Sequence, residues 1–458
     1  MKILLISTNW ETSPYPVYPI GMGMVATALK KEGYDVDLFD FLQKGCSYEA
    51  VKERVKEVQP DLVGLSLRNI DNVNSVNEHR YIESVQHIVD VIRSVACVPI
   101  VLGGSAFSIM PEEMLAKVKA DYGVVGEGEV LMCQLAKNIA EKNPPAEQIL
   151  RAPQELEKED IPSAYYDPKM VEYYMNHGKT ISIQTKRGCN KHCIYCSYPF
   201  LEGRNLRLRT ATSVVDDMQR LIAQHSDGYI FFVDSVFNDS FGHYRKIIYE
   251  MHRRKIQIPW TAFFTPGGEL DDEIVALMKE TGLDAAEIGA DASTDITLKG
   301  IGKDFSWNDV IQCNELFLRH KITTAHYYMF GGPGETPETV LQGIKNVRHL
   351  NQTANFMFMG IRILPGTALM QQAQKEGIIT HSTDMIDPIY YIAKGLDKAW
   401  LEKTLTDGFA DKFNCVFPPD ALDEKLHMLH KLGYGGTAYD MLIGTKKREG
   451  NRSKKRIH

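Results

Sequence analysis

Two rhythms alternate along the chain. Short apolar runs of strand length, such as KILLIS at Lys2–Ser7, LVGLSL at 62–67 and IVLG at Ile100–Gly103, are followed by longer stretches whose apolar residues return every three or four positions. In the first 142 residues this predicts strands at 2–7, 35–41, 62–67, 100–103 and 122–125. It predicts helices over 21–31, 48–58, 81–94 and 129–139. Near-continuous apolar strands between amphipathic helices are the signature of a parallel sheet covered on both faces. The rhythm lapses over 143–178, where charged and proline-bearing EKNPPAEQILRAPQELEKEDIP (141–162) predicts a linker and YYDPKMVEYY (165–174) an aromatic approach to a second domain. It resumes with strands at 181–184, 228–233, 260–264, 285–289, 323–329 and 356–363. Six βα units over about 200 residues predict an open, partial TIM-like (β/α)6 barrel with its chemistry at the C-terminal ends of the strands. The chain thus divides into a first α/β domain (1–142), a linker (143–178), a barrel (179–380) and a small helical C-terminal region (381–458) with a basic tail, TKKREGNRSKKRIH (445–458).

Composition narrows the class only slightly. The chain of 458 residues is 44% hydrophobic and 24% charged, an ordinary globular balance. A net charge of −7 gives no electrostatic case for nucleic acid. Neither a secretory signal nor a transmembrane segment is legible, so a cytoplasmic location is expected. Of eight cysteines, those at 46, 97, 133, 313 and 415 are scattered singly, as reduced buried thiols are.

The other three stand together in RGCNKHCIYCSYP (187–199), as Cys189, Cys193 and Cys196 just after the first barrel strand. A structural zinc site closes with four ligands and a disulfide uses two. Three thiolates on a [4Fe–4S] cube leave one iron open to an exogenous ligand. The alternative is a zinc knuckle completed by His192 or a distant cysteine. The stretch resembles the radical-SAM signature C-x3-C-x-Φ-C, with Tyr195 at the aromatic position. That resemblance implies S-adenosylmethionine (SAM) chelating the open iron.

Later strand ends carry further likenesses to that superfamily, any one of which alone would read as an ordinary tight turn. They are FFVDSVFN (231–238) with Asp234 and Ser235, GADAS (289–293) with Asp291, GGPGE (331–335) with Gly331, Gly332 and Glu335, and LPGT (364–367) with Pro365. The resemblance implies that these residues, with Tyr195, contact SAM.

The first domain is similar to flavodoxin-like cobalamin-binding domains. The likeness rests on Ser66, Leu67 and Arg68 in GLSLRN, on Gly103, Gly104 and Ser105 in VLGGSAF, and on Gly126, Glu127 and Gly128 in VVGEGEV. Small residues there leave a channel for the cobalamin nucleotide tail, and the alternative is a scaffold without cofactor. The D-x-H-x-x-G histidine of many cobalamin domains is missing from TNWETSPYPVYPIG (8–21), which implies cobalt without a protein imidazole and with Arg68 and Asn69 near its lower face. His79 lies after the third strand, elsewhere. GMGMVA (21–26) fits G-x-G-x-x-A, but thirteen residues, including Pro14, Pro16 and Pro19, separate it from the strand, against a dinucleotide site.

Together the halves resemble the cobalamin-dependent, class B methylase-like radical-SAM family. The resemblance implies three cofactors (cobalamin, SAM and a [4Fe–4S] cluster), an external electron donor of flavodoxin or ferredoxin type, and methylation of an unactivated carbon of a small-molecule or lipid-like substrate. Ring closure or rearrangement without methyl transfer is the alternative, ahead of a non-catalytic cobalamin-binding protein.

Overall fold

The structure is a computed structural model that describes residues 1–12, 15–152, 155–267 and 270–444. Pro14 and the basic tail 445–458 lie outside the described residues. The first sheet is parallel throughout. Its strands β1 (Lys2–Ser7), β2 (Asp35–Asp40), β3 (Leu62–Ser66), β4 (Ile100–Gly103), β5 (Tyr122–Val125) and β6 (Ile149–Arg151) lie in the order β2–β1–β3–β4–β5–β6. Successive residues of a strand face opposite sides. Ile3 and Leu5 therefore enter the core beneath helices Ile20–Lys31 and Gly128–Ala140, whereas Leu4 and Ile6 enter the core beneath Tyr48–Val58 and Ile82–Arg93. Helix Tyr48–Val58 starts where the Ser47 side chain accepts the Ala50 N–H.

The second unit begins with β7 (Thr180–Ile183) and a small antiparallel hairpin of β8 (Lys186–Arg187) and β9 (Arg207–Leu208). It continues through β10 (Tyr229–Phe232), β11 (Trp260–Phe264), β12 (Leu283–Asp291), β13 (Thr323–Phe330) and β14 (Thr353–Met359). A second hairpin pairs β15 (Ile361–Arg362) with β16 (Tyr390–Tyr391), and β17 (Cys415–Val416) adds to the edge. The parallel order β17–β14–β13–β12–β11–β10–β7 is the expected partial barrel with one strand more.

Two details differ from the sequence expectation, and a third agrees with it. Residues read as linker supply β6, because ILR lies against β5 and completes its free edge. The C-terminal region read as helical supplies β16 and β17 beside the helices Lys398–Phe409 and Asp423–Lys431. GMGMVA is the buried start of a helix. A Cβ at Gly23 would stand 2.8 Å from the Tyr165 carbonyl oxygen, so this glycine serves close packing of the linker. One continuous apolar core runs from Met22 and Leu135 through Met170 and Tyr174 to Ile183, Phe232 and Trp260, joining both units. No helix among the described residues is long and apolar enough to cross a membrane.

Inside the barrel, Glu287 on β12 is only 2% exposed. Tyr327 Oη donates to it at 2.8 Å and Thr261 Oγ1 at 3.4 Å, and the phenols of Tyr439 and Tyr15 also reach it. Burial pushes this carboxyl up to about 7, with the hydroxyl donors only partly opposing. The folded state therefore keeps a proton that the unfolded chain surrenders above its ordinary carboxyl pKa. The group's stabilising share is complete below that pKa and is lost as pH rises through about 7. Glu287→Gln should flatten the fall of the thermal midpoint across this window, removing up to about 3 kcal/mol of pH dependence. A variant profile parallel to wild type would contradict this assignment of the proton.

Candidate active site

The cysteine loop hangs from the end of β7 by contacts that its neighbours supply. Asp234, beyond β10 and 1% exposed, accepts the Thr185 N–H at 2.7 Å, the Lys186 N–H at 3.3 Å and the Lys186 ammonium at 3.2 Å. Ser235 Oγ donates to the Gly188 carbonyl at 3.1 Å. Gly188 has φ +95°, and a Cβ there would meet the Asn205 carbonyl oxygen at 2.1 Å, so only glycine fits the turn into the cysteines. Farther along, Cys189 N donates to Gly203 O at 3.0 Å, Ile194 N to Ile301 O at 3.1 Å, and Leu369 N to Ile194 O at 2.8 Å.

Cys189 is buried, Cys193 and Cys196 are half-buried, and all three are free thiols. Burial pushes Cys193 up and Cys196 up to about 12, and Cys189 adds to both shifts. Among the described residues no three His, Cys, Asp or Glu side chains converge closely enough to hold one metal ion.

The residues expected around SAM share this end of the barrel, and most already engage one another. Tyr195 Oη donates to Asp291 Oδ2 at 2.7 Å. Asp291, at φ +62°, also takes the ammonium of Lys303, which donates to the Gly289 carbonyl at 3.1 Å. Burial opposes the charge on Lys303, but Asp291 and Cys193 beside it outweigh this and raise its pKa. Lys303 was not singled out in the sequence, where GIGKDF gives no signal beyond a charged helix end. Glu335 folds back to accept the N–H groups of Gly331 and, at 3.0 Å, Gly332, while burial lifts its carboxyl to about 7. Gly331 and Gly332 lie against Leu401 and Ile361. Pro365 sits in the turn that leads to Leu369 and so abuts the cysteine loop; Phe200 stands 3.9 Å from a Cβ built at the neighbouring Gly366.

In the first domain the expected loops meet at the C-terminal edge of the sheet. Leu67 N donates to Gly103 O at 2.8 Å, Ser105 Oγ to Arg68 O at 2.7 Å, and Gly126 N to Ser108 Oγ at 2.8 Å. At Gly104, with φ +98°, a Cβ would collide with Leu67 O at 2.4 Å, so loop packing alone already demands glycine there. Gly103 and Gly126 fit the channel. The nearest atom to a Cβ at Gly103 is Val124 O at 3.8 Å, and a Cβ at Gly126 meets nothing within 4 Å. A Cβ at Gly128 would stand 3.1 Å from Val25, so this glycine lets two helices pack closely. Glu127 is taken up by Arg187 and Arg207 of the barrel. Ser66 is half-buried and Arg68 exposed at the same edge. Trp10, in the loop that lacks the histidine, packs against Tyr81 and His79. Its buried Nε1 has no partner among the described residues.

The two edges meet. The helix Ser105–Ile109 that follows Gly104 touches the helix Tyr198–Leu201 that follows Cys196. Tyr198 is 39% exposed, yet burial raises its pKa, with Glu202 and Cys196 adding to the rise and Arg68 opposing it. The B12 binding domain family matches residues 6–136 and the Radical SAM superfamily residues 183–346, together more than half of the chain. The chain belongs to the B12-binding radical SAM enzymes.

Relatives of this enzyme family carry different reactions. The chain is 24% identical over 456 residues to tryptophan 2-C-methyltransferase of Streptomyces laurentii, covering 82% of this chain and 76% of the relative. It is 24% identical over 380 residues to the anaerobic magnesium-protoporphyrin IX monomethyl ester cyclase of Rubrivivax gelatinosus, covering 77% of this chain and 66% of the relative. The radical S-adenosylmethionine methyltransferase TsrM from Kitasatospora setae, solved with cobalamin and a [4Fe-4S] cluster bound, has the same fold. It superposes with a TM-score of 0.85 at 24% identity, covering 97% of each chain. Cobalamin, SAM and a [4Fe–4S] cluster are the cofactors of this B12-binding radical SAM enzyme.

Proposed function

We propose that the chain methylates carbon in a small-molecule substrate held between its two sheets. The observation that supports this most is that the helix after Gly104 touches the helix after Cys196, with Arg68 of the first domain and Cys196 of the second both close enough to act on the Tyr198 phenol. The chemistry fits the groups: three soft thiolates for iron, and a glycine-lined strand edge with a free indole donor for cobalamin. The similarity to a tryptophan C-methyltransferase and to TsrM favours methyl transfer as the reaction.

In this reading Cys189, Cys193 and Cys196 hold the cluster. Ser66, Leu67, Arg68, Gly103, Ser105 and Gly126 hold cobalamin, with Gly104 and Gly128 shaping the loops from behind. When bound, the cluster supplies the electron for SAM cleavage and cobalamin the methyl group to be delivered. Asp234 and Ser235 are positioning residues that fix the turn into the cysteine loop. Tyr195, Asp291 and Lys303 pin the middle of that loop to the end of β12, and the Glu335-braced turn with Pro365 closes its far side. Tyr198, Phe200 and the helix Ser105–Ile109 keep bulk water from the meeting of the two edges, which strengthens every polar contact there.

The test is to incubate reconstituted protein, SAM carrying a trideuterated methyl group and a low-potential reductant with a metabolite extract of the encoding organism. A product bearing three deuterium atoms on a new carbon bond, absent without cobalamin or in Cys196→Ala, is expected. A ring-closed or rearranged product without label would overturn methylation in favour of the cyclase-type reaction.

A further inference from the structure

A buried ionic network runs from the cobalamin loop of the first domain to the cysteine loop of the second. Glu127 follows Gly126 at the end of β5, and Glu129 lies in the first turn of the next helix. Arg187 stands two residues before Cys189, paired across the β8–β9 hairpin with Arg207. Arg187 Nη1 donates to Glu127 Oε1 at 2.7 Å and Nη2 to Glu129 Oε1 at 2.5 Å. Arg207 Nη1 donates to both oxygens of Glu127 at 2.8 Å, and Leu156 N donates to Glu127 at 2.6 Å. None of the four charged side chains is more than 10% exposed.

The network continues without a break to the cysteines. Arg187 Nε donates to Gln184 Oε1 at 3.1 Å, Gln184 Nε2 to Glu202 Oε1 at 2.9 Å, and Gly188 N to Glu202 Oε2 at 3.3 Å. Burial alone would weaken the charge on Arg187, but Glu129 and Glu127 hold it firmly cationic. A planar guanidinium divided between two buried carboxylates fixes direction as well as distance. Moving the loop at Gly126 would leave a buried charge unpaired, so the arrangement resists independent movement of the two loops.

We propose that Arg187 is a positioning residue that couples the two cofactor sites, transmitting the set of the Gly126–Glu127 loop to the Gly188–Cys189 turn. The inference rests on the cofactor placement proposed above. A clamp that merely joined the domains would support both sites without linking their occupancies. Under coupling, each cofactor tightens the binding of the other by the same factor.

The experiment titrates hydroxocobalamin into the full-length anaerobic protein, with and without its reconstituted cluster, and follows the absorption of bound cobalamin. In wild type the cluster should lower the cobalamin Kd by about 5- to 150-fold, the usual range of coupling between sites. In Glu127→Gln and Arg187→Lys both cofactors should still bind, with that factor reduced below about twofold. Should Glu127→Gln not fold, as judged by circular dichroism, Glu129→Gln carries the test, because it leaves Arg207 paired with Glu127. Variants that retain the wild-type factor, or a wild-type factor of one, would overturn the coupling while leaving cofactor placement intact. A wild type that takes up no cobalamin would overturn the placement itself, and the coupling with it.

Discussion

Replacing Cys189, Cys193 or Cys196 by alanine removes the cluster from anaerobically reconstituted protein. About four irons per chain should fall close to none in each variant, because three thiolates are already the minimum for a cube whose fourth iron is open. The fold should survive the change. The loop is held by groups outside the trio: Asp234 on the Thr185 and Lys186 amides, Ser235 on Gly188, and Ile301 on Ile194. Cobalamin retention should therefore fall far less than iron. Cys313→Ala, at a buried thiol in the helix Trp307–Arg319, is the matched control and should keep its iron. Stoichiometric zinc without iron after anaerobic preparation would contradict the assignment.

Gly103→Trp should release cobalamin and spare the cluster. Gly103 ends β4 between two strand tips, and a Cβ there comes no nearer than 3.8 Å to any neighbour. An indole can thus grow from it into the space assigned to the nucleotide tail without moving backbone. A loss of at least about a hundredfold in Kd, or roughly 3 kcal/mol, is expected. Gly104 cannot serve this purpose, since any side chain there strikes Leu67 and unsettles the loop. Cobalamin that stays with Gly103→Trp through gel filtration, as it does with wild type, would place the tail elsewhere.

Most of the fold was legible because its strands are apolar on both faces and its helices on one. β1 through β5, β7 and β10 through β14 fall where the rhythm puts them. β6 and β17 escaped because three and two residues carry no period, and their pairing is decided by the exposed edge of a neighbour. The cysteine trio was equally plain, since its spacing is local. Glu127 and Asp234 were read as cofactor contacts on motif position alone. Their partners, Arg187 and Arg207 for one and Thr185 and Lys186 for the other, lie 48 to 80 residues away in the chain. Lys303 escaped for the same reason: its meaning comes from Asp291 and Cys193, brought beside it by the turn after the helix Asp295–Gly300.

The central claim is that one chain holds cobalamin and the cluster facing each other at Tyr198, where the two edges meet. Electron paramagnetic resonance of the fully reconstituted protein, with cobalt as Co(II) and the cluster compared in its oxidised and reduced forms, tests it most directly. The account predicts a cobalt signal without superhyperfine splitting from an axial nitrogen, since the loop from β1 carries no histidine and Arg68 cannot donate to the metal. It further predicts that this signal broadens and relaxes faster when the cluster becomes paramagnetic. A cobalt spectrum unchanged by the state of the cluster would show the two centres to be magnetically isolated and would contradict the account.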